Sequence, residues 1–252
     1  MLEVKSYDIM LDFDERGTSY KGKVKIDLKA DKEIELDIRD LEILDAKANE
    51  KKVDFAITKN SLKFDLGRFE GTLEIDFAKK IPESLIGIYR ISGKYFMITT
   101  QFEASHARDM FPCVDHPAYK AQFKLTVRIR KDLDAISNMP VEKIALEGEK
   151  KVVSFMPTPK MSTYLLYLGI AKFEEVKDKY RDIEVITATT EGKIKKGKLS
   201  LDFAKKFLEF YEGYYNIPYP LPKLHLVAVP EFAYGAMENW GAITFREAAL
   251  LL

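Results

Sequence analysis

The sequence predicts a mostly β chain: an N-terminal antiparallel β-sandwich or saddle over residues 1–172, then an α+β segment over residues 173–252. Three observations predict it. Apolar residues recur at every second position through the first two thirds of the chain. Gly, Asn and Asp punctuate these runs, as at Lys59-Asn60 and Gly71. One later stretch, from Lys198 to Tyr215, carries its apolar residues at helical spacing instead.

The elements follow in order. Tyr7, Ile9, Leu11 and Phe13 alternate with other residues, as do Val24, Ile26 and Leu28, then Ile34, Leu36 and Ile38. Val53, Phe55 and Ile57 continue the pattern, followed by Leu62, Phe64 and Leu66, by Leu73, Ile75 and Phe77, and by Phe123, Leu125, Val127 and Ile129. A period of two with one apolar face is the signature of a half-buried antiparallel strand, and many short strands at this spacing suggest two packed sheets. Lys172 to Lys179 is polar and charged and reads as a junction between domains. Ile183 to Thr187 reads as a strand. Leu199, Phe203, Phe207, Phe210 and Tyr214 then mark a helix whose aromatic stripe is expected in the core. Asn216-Ile217-Pro218-Tyr219-Pro220 ends it. Leu224, Leu226 and Ala228 mark another strand, and Ala242 to Phe245 a third. The apolar run Ala248 to Leu252 reads as part of an element that continues into a core.

Bulk properties narrow the function classes. Apolar residues make up 46% of 252, enough for a packed core. Lys plus Arg and Asp plus Glu number 40 each, so there is no net field to attract nucleic acid or an anionic membrane, and neither is expected as a partner. The single cysteine, Cys113, excludes an internal disulfide and fits a reducing compartment. Charges interrupt the N-terminal stretch too often for a signal peptide, and no apolar run approaches the roughly 20 residues that span a bilayer. A soluble cytoplasmic protein is expected.

Among the acids, Glu238 stands out because it lies in a glycine-flanked stretch between two strands. Gly235 and Gly241 let another backbone come close. A carboxylate there is either a solvated loop residue or a group that holds a cation such as a free α-amino group, and spacing alone leaves both readings open. Other constellations carry less. Cys113, between Pro112 and Val114, reads as a packed thiol. Ser105, His106 and Asp109 are too close in sequence to form a triad by themselves. Lys193 to Lys198 reads as a solvated basic loop, and no glycine-rich phosphate loop is present. His106, His116 and His225 are the three histidines, no two are four apart, and no zinc site is expected from them.

Two sequence blocks carry a family resemblance. Gly235-Ala236-Met237-Glu238-Asn239 spells the substrate-clamping word of the M1 zinc aminopeptidases, the gluzincins. Residues 100–123, TQFEASHARDMFPCVDHPAYKAQF, resemble the M1 stretch T-Q-F-E-x-x-x-A-R-x-x-F-P-C-x-D-E-P-x-x-K-A-x-F. The likeness covers nearly the whole chain. It implies a saddle domain followed by the opening part of a thermolysin-like catalytic domain. It also implies substrate-binding roles for Gln101, Glu103, Gly235, Ala236, Met237, Glu238 and Asn239. Gln101 would line the first side-chain pocket, and Glu103 and Glu238 would grip the substrate's α-amino group. Gly235, Ala236 and Met237 would pair with the substrate backbone. Two carboxylates facing one ammonium make charge-assisted bonds that a blocked or internal peptide cannot make. Arg108, Asp115 and Lys120 are expected as buried ion pairs behind this clamp. The sequence departs from the pattern at His116, where the family has Glu, and at His106, where a small residue is common.

The resemblance implies zinc as the cofactor of the complete enzyme. The family's zinc word, H-E-x-x-H, belongs a few tens of residues beyond Gly241. This chain is therefore expected to hold no metal, to have no complete catalytic set and to be inactive alone. The expected partners are peptides with a free N-terminus, together with a second polypeptide carrying the zinc site if the enzyme is split. The alternative is a non-catalytic peptide-binding or scaffold module.

Overall fold

The structure, a computed structural model, describes residues 2–251. The chain is mostly β and falls into two compact units. The first comprises residues 1–90, 100–131 and 141–166, and the second residues 91–99, 132–140 and 167–252.

The first unit is built on a nine-stranded sheet. At its centre the long strands Leu2–Phe13, Ser19–Ala30 and Phe69–Lys80 pair antiparallel. Leu2–Phe13 also pairs with Lys120–Arg130, in parallel, which is an exception to the expected antiparallel pattern. The alternating residues do what their spacing predicts. Ile9, Leu11, Val24, Ile26, Leu28, Leu73, Ile75, Phe77, Phe123, Leu125 and Val127 are all buried. Tyr7 stacks flat on Phe123 at 5.0 Å, and its hydroxyl accepts the Val114 N–H at 3.0 Å. Gly22 faces the Phe77 ring so closely that a Cβ there would lie 2.3 Å from it, which is why this strand position carries no side chain. Ile34–Asp37 and Ser61–Phe64 pair in a smaller sheet with Ala56–Ile57. The expected strand over Val53, Phe55 and Ile57 shrinks to that two-residue pair; its residues stay exposed or half-buried, and only Phe55 meets the core, against the Phe64 ring at 6.2 Å.

The second unit carries a five-stranded mixed sheet in the order Phe173–Tyr180, Ile183–Thr190, Lys223–Val229, Ala242–Arg246, Ala236–Met237. The three middle strands run parallel and the two outer ones antiparallel. Phe173–Tyr180 overturns the reading of Lys172 to Lys179 as a junction. It is an edge strand whose largely exposed charges suit the open side of a sheet. In a separate four-stranded sheet, Leu168–Ala171 pairs antiparallel with Asp134–Ser137 and with Met97–Gln101.

The long helix runs Gly197–Tyr215 and ends at Asn216, which takes a left-handed φ of 52° as a C-terminal residue must if the chain is to turn away. Its aromatic stripe is not in the core. Leu201, Ala204 and Leu208 face the sheet, packing in one cluster with Val185, Leu224, Leu226 and Ala228. Phe203, Phe207, Phe210 and Tyr214 stay 46–70% exposed and stack on one another instead. Both faces have apolar residues at helical spacing. The one with Ala204 allows the closer approach to the sheet, which periodicity alone does not reveal. An apolar groove of about 800 Å³ runs along the helix, lined by Phe203, Phe207, Tyr211, Tyr215, Ile217 and Ala249. Among the described residues no helix is long and apolar enough to cross a membrane.

Candidate functional site

In the first unit, Gln101 ends the strand Met97–Gln101 and is 1% exposed. Neither its amide oxygen nor its amide nitrogen has a hydrogen-bond partner among the described residues. A buried amide left unpaired costs about 1–3 kcal/mol, so such a group is expected to meet a ligand. Two residues on, Glu103 is exposed.

The same unit holds a charge cluster. Arg108 reaches Asp37 at 2.9 Å and Asp115 at 3.0 Å. The Arg108 and Asp115 backbone N–H groups donate to the Asp115 and Asp37 carboxylates. Burial raises the Asp115 carboxyl pKa, against the bonds from Arg108 that lower it. The pairing of Arg108 with Asp115 is as expected. Lys120 is not part of it: it lies exposed at the start of a strand, because the alternation of Lys120–Arg130 turns it outward while Ala121 goes in.

In the second unit, Ala236–Met237 is the outermost strand of the sheet, pairing on one side with Phe245 and Thr244. Arg246 N–H donates to the Gly235 carbonyl at 2.9 Å on that inner side. The other side is an open edge, where unpaired N–H and C=O groups can accept an extended peptide as one more strand. Strand alternation turns Met237 inward, 1% exposed, and leaves Ala236 and Glu238 exposed. Glu238 is thus a carboxylate next to a free strand edge. Asn239 is 1% exposed, and its amide donates to the Ala242 carbonyl at 3.4 Å and to Thr244 Oγ1 at 3.3 Å. It closes the turn that returns the chain to the neighbouring strand.

That turn is held from below by residues the sequence reading did not single out. The Asn138 amide donates to the Trp240 carbonyl at 2.8 Å. Lys223 Nζ donates to the carbonyls of Gly241 at 2.8 Å and Ser137 at 2.7 Å, and lies 2.9 Å from His225 Nδ1. His225 Nε2 faces Glu175 at 3.5 Å. One signal was available: Lys223 and His225 alternate with Leu224 and Leu226, which places two basic groups on one face of an apolar strand.

Burial pulls the Lys223 ammonium down to about 7, against the Glu175 and Glu184 carboxylates. Burial, and next the charge of Lys223, lower His225 to about 4. The His225 hydrogen bond holds Glu175 at about 2 despite its own desolvation. The fold therefore prefers a neutral His225 and an ionised Glu175. As pH falls from 6.5 to 4 the unfolded chain takes up a proton that the folded His225 refuses. From 4.5 to 2 the unfolded chain takes up a proton that Glu175 refuses. Both displacements involve the one His225–Glu175 pair, so stability should fall as pH drops from about 6.5 toward 2. Denaturant melts at stepped pH should show this decline, and His225→Asn should flatten its upper half. A variant as steep as the parent would contradict the assignment.

The histidines do not fit a zinc ion. Nδ1 of His106 lies 2.9 Å from both Asp109 and Arg39, that of His116 accepts the Ala118 N–H, and that of His225 meets Lys223. Among the described residues no three His, Cys, Asp or Glu side chains are grouped to hold a metal.

Comparison with known proteins gives this geometry a context. Residues 3–165 match the family described as Peptidase M1 N-terminal domain, and residues 199–252 match the Peptidase family M1 domain. The chain is 54% identical over its whole length to Probable aminopeptidase 2 of Sulfurisphaera tokodaii, and 52% identical to the Leucyl aminopeptidase of Saccharolobus solfataricus. It is 48% identical, over 98% of its length, to Tricorn protease-interacting factor F2 of Thermoplasma acidophilum. In each case it covers 32% of the relative, so the chain spans about a third of the length of the curated relatives it matches.

Proposed function

The chain belongs to peptidase family M1, and from that premise we propose that it supplies the peptide-end recognition of an aminopeptidase. The observation that carries this reading is the open Ala236–Met237 edge with Glu238 exposed directly after it. An extended peptide pairs with that edge through its backbone, and its terminal ammonium meets the Glu238 carboxylate. Glu103, exposed in the first unit, is the second acid that the family resemblance assigns to a free ammonium. Gln101, whose buried amide has no partner among the described residues, is assigned by the same resemblance to the first side-chain pocket. Asn239 contributes by closing the turn rather than by contact. By division of labour, residues 1–172 form the saddle domain and residues 173–252 the opening part of the catalytic domain.

M1 aminopeptidases are zinc enzymes, and zinc supplies them with a Lewis acid and an activated water. Among the described residues none are grouped to fit that ion, so no step of hydrolysis is assigned to them. Their task is to bind and orient. A carboxylate that requires a free ammonium restricts cutting to the end of a peptide, because an internal amide offers no charge to pair. The leucyl aminopeptidase among the relatives suggests an apolar first residue. The relative named for its interaction with a protease suggests a protease as a protein partner. The single buried thiol, Cys113, supports a reducing compartment such as the cytoplasm.

The test is calorimetric titration of the chain with Leu-Gly-Gly and with its N-acetylated form. The free-amine peptide should bind on the order of tenfold tighter, and Glu238→Gln should erase the difference. Equal binding of the two peptides to the parent chain would end the amine reading, and would favour a peptide-binding edge without end selection.

A further inference from the structure

Resting on the amine-binding reading of Glu238, we propose that Lys223 and Asn138 are its positioning residues: they hold the main-chain carbonyls of Gly241 and Trp240, and so fix the turn on which that acid stands.

The carbonyls in question close the four-residue connection from Met237 to Ala242. Gly241 accepts two donors, the His225 N–H at 3.0 Å and Lys223 Nζ at 2.8 Å. Trp240 accepts the Asn138 amide, whose own oxygen accepts the Tyr167 N–H at 2.8 Å. Lys223 also bonds the Ser137 carbonyl, next to Asn138. One buried lysine nitrogen therefore ties the Gly241 turn to the Ser137–Asn138 segment. Gly241 itself has φ +71°, and a Cβ there would stand 2.2 Å from the Asn138 carbonyl oxygen. Turn and support are thus in backbone contact.

Burying a lysine at 3% exposure only to support an ordinary loop is expensive, since its charge must be desolvated. Four groups offset that cost, each placed to accept from it or balance it. The Ser137 and Gly241 carbonyls accept two of its hydrogens, and the His225 Nδ1 lone pair the third. With that tautomer His225 directs its Nε2–H at the Glu175 carboxylate, which carries the balancing charge and is itself paired with Lys177 at 2.8 Å. Glu184 is the other carboxylate whose field reaches Lys223. The chain runs from Glu175 on the exposed edge strand through buried His225 and Lys223 and ends on the Gly241 carbonyl of the turn that follows Glu238. A hydrogen-bonded chain of this kind orients what it ends on, and small displacements of a binding group are costly to recognition.

The experiment uses the 252-residue chain carrying Lys223→Met or Asn138→Asp. The first removes the ammonium at near-constant shape, and the second replaces the donor to Trp240 with an acceptor. Hydrogen exchange is read at Met237 and Ala242, with the Ile183–Thr190 amides as internal reference. Both variants should speed exchange at the turn at least tenfold while the reference strand is unchanged. Both should also lower the affinity ratio between Leu-Gly-Gly and its N-acetylated form, a ratio that a merely structural role would not move. Unchanged exchange at the turn, or equal acceleration throughout the unit in both variants, would overturn the proposal. A loosened turn with no change in a parent ratio well above one would also overturn it. A parent ratio of one would instead count against the amine reading, and the exchange data would still decide whether these residues hold the turn.

Discussion

Arg108→Ala is expected to destabilise the first unit by about 3–5 kcal/mol at neutral pH, the range for stripping one partner from a buried ion pair. Asp115 has a side chain only 1% exposed, and Arg108 supplies its Nε donor, its Nη contact to the Asp115 carbonyl and the link to Asp37. Without the guanidinium the Asp115 carboxylate keeps one donor, the Arg108 backbone N–H. The pH dependence identifies the mechanism. Burial already raises the Asp115 pKa above the ordinary carboxylate value, so the folded state holds its proton longer than the unfolded chain does. Stability from this group is therefore complete below about pH 3.8 and is lost as pH rises through the folded pKa. Removing Arg108 takes away groups that oppose the rise, so that loss should steepen. Denaturant melts from pH 4 to 8 should find the variant closest to the parent at the acid end. The double variant Arg108→Met with Asp115→Asn should recover most of the deficit, because no charge is left unpaired. A deficit that does not change with pH would point to lost packing instead.

Gly241→Ala is expected to cost about 3 kcal/mol and to abolish preference for free-amine peptides. Two independent penalties fall on one methyl group. At φ +71° an L-residue is strained, and the new Cβ would lie 2.2 Å from a backbone oxygen that cannot swing away as a side-chain end could. The chain can relieve the contact only by parting the Gly241 turn from Asn138, which breaks the bonds from Asn138 to Trp240 and from Lys223 to Gly241. Gly235→Ala is the control. It has no heavy atom within 4 Å of its Cβ position and no positive φ, so it should fall within about 0.5 kcal/mol of the parent. Thermal melts and the paired peptide titration separate the two outcomes. A stable Gly241→Ala chain that still discriminates the acetylated peptide would show that the turn can move without consequence.

Much of the fold was legible in advance. Tyr7, Ile9, Leu11, Val24, Ile26, Leu73, Ile75 and Phe77 lie inside because a period of two can present only one face to a core. The helix from Gly197 to Tyr215 was visible for the matching reason at 3.6 residues per turn, and its end at Asn216 by the following proline. The edge strand Phe173–Tyr180 was not, because a strand open to solvent carries charges where a buried one carries an apolar alternation. Nor was the outward turn of Phe203, Phe207, Phe210 and Tyr214 legible. Periodicity defines faces but does not say which of two apolar faces a sheet will take.

The sequence by itself determined the mostly β class, the long helix and, through Gly235 to Asn239 and residues 100–123, the family. Those properties reside in local periodicity and in contiguous words, which need no partner to be read. Only the tertiary structure decided that Ala236–Met237 is a free edge, that the Gln101 amide is buried without a partner among the described residues, and that Lys223 and Asn138 bond the carbonyls of the turn after Glu238. Lys223 meets Gly241 across 18 residues and Asn138 meets Trp240 across 102, and no local pattern specifies which distant carbonyl a buried donor will find. That choice is made by the packing of the whole unit, where each buried polar group must end on some partner or pay for its absence.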